Sequence, residues 1–85
     1  MNNELELFKK KLIYRAGYRG TKEMDILLSS FVNKYINTFD ENLLKKLDDF
    51  LNFDDEVILN FYHYNISNNQ IEKNEISKIF KSFKP

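Results

Sequence analysis

The 85 residues contain no cysteine, so neither a disulfide nor a thiolate-held metal can brace the fold, and the absence fits a reducing compartment. His63 is the sole histidine, which excludes a metal site built on two imidazoles and leaves a Ser/His/Asp arrangement only one ring to use. Two glycines, Gly17 and Gly20, and one proline, Pro85, supply neither a flexible linker nor a phosphate-cradling loop. No stretch approaches the roughly 20 consecutive apolar residues of a membrane span, so no direct membrane insertion is expected. The opening Met-Asn-Asn-Glu-Leu-Glu lacks the basic head and apolar run of a signal peptide, and its acids argue against a transit peptide. A bacterial-type cytoplasmic location is the expectation. No alternating apolar pattern favours a strand, and no fixed-period repeat occurs.

What is present is aromatic bulk and sorted charge. Hydrophobic residues make up 42% and aromatics 15%, eight of them Phe and five Tyr, well above a disordered composition despite 31% charge. Residues 1–85 should form one domain, burying roughly 60–65% of the unfolded surface. The formal charge is zero, from 13 basic against 13 acidic residues. Residues 1–22 hold six Lys or Arg against two Glu, net +4, while 23–60 hold three Lys against nine acids, net −6. Residues 61–85 return to +2, with four Lys against two Glu. Such sorting says more about partners than the total does.

Helical periodicity runs the length of the chain, so the fold class is all-α, a compact bundle of about five short helices. Leu5, Phe8, Leu12 and Ala16 recur at three and four, with Lys9, Lys10, Lys11 and Arg15 around them, which predicts a basic amphipathic helix over 4–16 closed by Gly17. A second helix of about 17 residues starts at a Gly20 or Thr21 cap and carries Met24, Leu27, Leu28, Phe31 and Tyr35, which should make it the best buried. Thr38 with Glu41 has capping-box form and predicts a third helix through Leu43, Leu44, Leu47, Phe50 and Leu51. Asn52 or Asp54 can cap a fourth with Val57, Ile58, Phe61 and Tyr62. After a polar connector at 65–69, Asn69 with Glu72 predicts a fifth carrying Ile71, Ile76, Ile79, Phe80 and Phe83.

Little in this pattern suggests catalysis. His63 sits in the aromatic run Phe61-Tyr62-His63-Tyr64, where a packed or surface histidine is the plain reading. Asp48, Asp49, Asp54, Asp55 and Glu56 are dense, yet caps and a solvated face account for them, and they lack calcium-loop spacing. A helix-turn-helix nucleic-acid binder is disfavoured because the second helix opens with Glu23 and Asp25, which repel phosphates. The turn Tyr18-Arg19-Gly20-Thr21 therefore holds the interest. It reads equally as an ordinary cap with an exposed Arg19–Glu23 pair or as a protein interface.

The segment Leu12-Ile13-Tyr14-Arg15-Ala16-Gly17-Tyr18-Arg19-Gly20-Thr21-Lys22-Glu23-Met24-Asp25-Ile26-Leu27-Leu28 resembles the signature of the SdhE-type succinate dehydrogenase assembly factors, the flavinylation chaperones. Their hallmark Arg-Gly-x-x-Glu is matched by Arg19, Gly20 and Glu23. Asp25 and the Leu27-Leu28 run follow in family order, and the likeness extends over most of the chain. One departure is Phe61, where the family usually has tryptophan.

The resemblance implies a small five-helix monomer that binds the flavoprotein subunit of succinate dehydrogenase, and in some bacteria fumarate reductase. It implies promotion of covalent FAD attachment to a histidine of that partner, with no catalytic residue, metal or stably bound cofactor in this chain. Arg19, Gly20 and Glu23 then form the docking surface, flanked by Tyr14, Arg15, Tyr18 and Asp25. In that reading Arg19 offers a planar fork to a partner carboxylate, Glu23 accepts from a basic side chain, and Gly20 lets the backbones approach. The competing class is a small helical adaptor with no flavinylation role.

Overall fold

The computed structural model describes residues 3–66 and 68–85; Met1, Asn2 and Ser67, the last inside the expected connector, lie outside the described residues. Among the described residues the elements are all helical: α1 Asn3–Ala16, α2 Lys22–Tyr35, α3 Glu41–Phe50, α4 Asp55–Tyr64, α5 Asn69–Lys73 and α6 Glu75–Ser82. The all-α expectation is met, with six helices where five were expected.

Where helix ends moved, side-chain hydrogen bonding explains the shift. Thr38 does not cap α3, because its hydroxyl donates to the Tyr35 carbonyl at 2.9 Å and closes the end of α2. Asp40 caps instead, its Oδ1 accepting from Leu43 N at 2.8 Å. α2 is correspondingly 14 residues long, shorter than expected. The expected fifth helix is two, broken at Asn74, which ends α5 and caps α6. Asn74 Oδ1 accepts from Ile76 N at 2.8 Å while Nδ2 donates to the Lys46 carbonyl at 2.9 Å. An asparagine that satisfies backbone groups on two sides competes with the helical ladder. Asn68, one residue before the expected Asn69, caps α5 by accepting from Ile71 N at 2.9 Å.

α1 packs along α2, α3 against α1 and α6, and α4 against α6. α2 is the best buried, with Met24, Leu27, Leu28, Phe31 and Val32 sealed from solvent. At the centre Phe80 meets Phe31 edge-on at 5.1 Å, Phe50 at 5.2 Å and Tyr62 at 4.9 Å between ring centroids. Such aromatic pairs add about 0.5–1.5 kcal/mol each beyond area burial. Phe61 is buried, with Lys81 Nζ 4.9 Å from its ring centroid, so the residue standing in for tryptophan faces the core.

Candidate functional site

The α1–α2 turn is fixed by its own backbone chemistry. α1 closes on a hydrogen bond from Gly17 N to the Tyr14 carbonyl at 3.1 Å. Gly20 takes φ +121°, a region where a side chain brings strain. Thr21 is the N-cap of α2, its Oγ1 accepting from Met24 N at 3.3 Å. Asp25 reaches back, and its Oδ1 accepts from Arg19 N at 2.5 Å, clipping the turn to the first turn of α2.

That geometry sends Arg19 across the molecule. Its Nε donates to Asp55 Oδ1 at 2.8 Å, Nη1 to the Leu51 carbonyl at 2.6 Å, and Nη2 to the Phe53 carbonyl at 2.6 Å. The side chain is only 12% exposed. A free arginine fork was expected here; three of its donors are already engaged within the chain. The reason lies just past α3, where the carbonyls of its C-cap residue Leu51 and of Phe53 in the bend are left outside any helical ladder and are met by the guanidinium. Arg15 behaves alike, pairing with Asp48 and donating to Asn52 Oδ1 at 2.7 Å. No Arg19–Glu23 pair forms: Glu23 Oε1 stands 3.0 Å from His63 Nε2 at the end of α4.

The expected site residues therefore separate into two groups. Arg15, Arg19 and Asp25 point into contacts within the chain. Tyr14 and Tyr18 face outward, 64% and 73% exposed, with rings stacked at 4.5 Å and 24° between planes. Gly20 is exposed beside them, and Glu23 is 63% exposed at the side chain. This outward set is an aromatic shelf with one carboxylate, suited to recognising a surface and carrying no nucleophile–base pair. Among the described residues no group of three or more His, Asp or Glu is placed to hold a metal ion. Among the described residues no helix is long and apolar enough to cross a membrane.

Sequence reading missed Asp55 as the partner of Arg19 and His63 as that of Glu23. These contacts join residues 36 and 40 positions apart, and no local spacing signals them.

The family model described as the flavinator of succinate dehydrogenase matches residues 10–84. This chain belongs to that family. Among its relatives, the protein named succinate dehydrogenase assembly factor 2, mitochondrial, from Scheffersomyces stipitis is 36% identical over 81 residues, covering 91% of this chain and 52% of its own. The proteins of that name from Drosophila grimshawi and Schizosaccharomyces japonicus are 39% identical over 51 residues and 37% over 54. Those matches cover 60% and 64% of this chain, and 35% and 38% of the relatives. The chain thus spans between about a third and about half of these relatives' lengths. Their names also overturn the expectation of a bacterial-type cytoplasmic location, since each is designated mitochondrial. The acid-bearing start misled because it was read as though the first residues of the sequence could report an address.

Proposed function

We propose that this chain docks on the flavoprotein subunit of succinate dehydrogenase in mitochondria and promotes covalent attachment of FAD to a histidine of that subunit. Membership of the flavinator family carries the reading. The outward Tyr14–Tyr18 shelf beside Gly20 and Glu23 supports it, because the family signature falls where the molecule presents exposed aromatic area. Tyrosine anchors recur at protein interfaces because they bring large area with few rotatable bonds.

The chain contributes geometry. Attachment needs the flavin and the acceptor histidine held in attack orientation, and fixing the flavoprotein in that arrangement removes part of the entropic barrier. Flavin and acceptor both belong to the partner, so this chain acts as a clamp with no reacting group of its own.

The test is co-expression of the flavoprotein subunit with and without this chain, followed by flavin fluorescence of the denatured subunit band. A fluorescent band that depends on this chain supports the proposal. Equal fluorescence without it contradicts the proposal.

A further inference from the structure

Next to the turn lies a groove whose walls come from distant parts of the chain, Tyr18 and Arg19 on one side and residues 51–55 on the other. The second wall is the bend between α3 and α4, and two arginines hold it from across the groove. Arg19 takes the carbonyls of Leu51 and Phe53 and the carboxylate of Asp55. Arg15 takes Asp48 and Asn52. The bend is therefore set by the residues around the signature turn.

These contacts answer the charges of Asp48 and Asp55 and leave Asp54 apart. Asp54 is the N-cap residue of α4, yet its side chain makes no capping hydrogen bond. It is exposed, and among the described residues its carboxylate has no ion-pair partner. Across the groove stands the Tyr18 ring, backed by Tyr14. An aromatic face on one wall and an uncompensated carboxylate on the other suit a guanidinium or ammonium, which stacks on the ring and bonds the carboxylate. The surrounding segment 23–60, net −6 from three Lys against nine acids, has the complementary sign.

We propose that this groove receives a basic side chain of the flavoprotein partner, with Tyr18 and Asp54 touching it and Arg15, Arg19 and Asp55 acting as positioning residues. The proposal rests on the docking reading above and adds a second piece of chain to the docking surface. Asp54 and Asp55, outside the signature, thereby acquire different roles.

The test uses the full chain and the purified flavoprotein subunit, with affinity measured at two salt concentrations and amide hydrogen exchange followed on the chain alone. Asp54→Asn removes the charge and keeps the shape and a residue type favoured at an N-cap position. It should weaken binding roughly tenfold and flatten its salt dependence, with exchange across 51–55 unchanged. Asp55→Ala should weaken binding by a similar factor while exchange across 51–55 quickens, and Asp55→Glu should recover both. Wild-type affinity in Asp54→Asn overturns the basic occupant. Quickened exchange with wild-type affinity in Asp55→Ala overturns the positioning role. A wild-type chain that fails to bind overturns the docking reading as well, and is recognised because no variant then differs from it.

Discussion

Arg19 Nε lies 2.8 Å from Asp55 Oδ1, and through that contact the signature turn is fastened to the start of a helix 36 residues further on. Arg19→Ala leaves the Leu51 and Phe53 carbonyls and the Asp55 carboxylate without their donor. The expected loss is about 2–4 kcal/mol, against about 4–13 kcal/mol for a chain of this length. Thermal denaturation should show a drop of roughly 10–20 °C. An unchanged melting temperature would mean the guanidinium is not a fastening. Activity lost in this variant is therefore ambiguous unless stability is measured beside it.

The two glycines should respond differently. A Cβ at Gly20 meets only an ordinary contact, Asp55 Oδ2 at 3.9 Å, but φ of +121° strains any side chain. Gly20→Ala should cost about 1–2 kcal/mol. At Gly17 a Cβ comes 3.2 Å from Ser29 Oγ, a side-chain atom that can rotate away. Gly17→Ala should stay within about 0.5 kcal/mol of wild type. Urea titration of both variants checks the order, and a larger loss at Gly17 would contradict it.

Glu23 and His63 form an exposed pair, so its rupture should scarcely affect folding. Glu23→Ala and His63→Ala are each expected to change stability by at most about 1 kcal/mol. Glu23→Ala should nevertheless reduce covalent flavin on the co-expressed partner. A large stability loss in either variant would show the pair to be structural.

In the core, Phe80→Ala should cost about 3–5 kcal/mol, because three rings lose their common neighbour. Ser77 gives the opposite case. It is fully buried, and among the described residues its Oγ has no hydrogen-bond partner. Ser77→Ala should be neutral or stabilising by up to about 1 kcal/mol. Circular dichroism melts of the two variants should move in opposite directions or leave Ser77→Ala unmoved.

Much of the fold was legible because helical periodicity and caps are local. The stripe Met24, Leu27, Leu28 and Phe31 sits where spacing put it, and Thr21, one of the two expected caps, opens the helix. Boundaries slipped where a side chain had two uses, as with Thr38 serving the end of α2 and Asn74 dividing the final helix. At the site, the turn itself was legible from its glycines and its signature. The direction of Arg19 was not, since the carbonyls that capture it exist only after α3 and α4 have packed. Glu23 was foreseen as outward-facing, but its neighbour His63 comes from the far end of α4.

The central claim is that the outward face of the α1–α2 turn is the docking surface. Its most direct test is flavin fluorescence of the denatured flavoprotein subunit co-expressed with a Tyr14→Ser, Tyr18→Ser double variant, whose exposed rings contribute little to the core. The account predicts a chain that melts like wild type and a subunit band without covalent flavin. A band as bright as with the wild-type chain would contradict it.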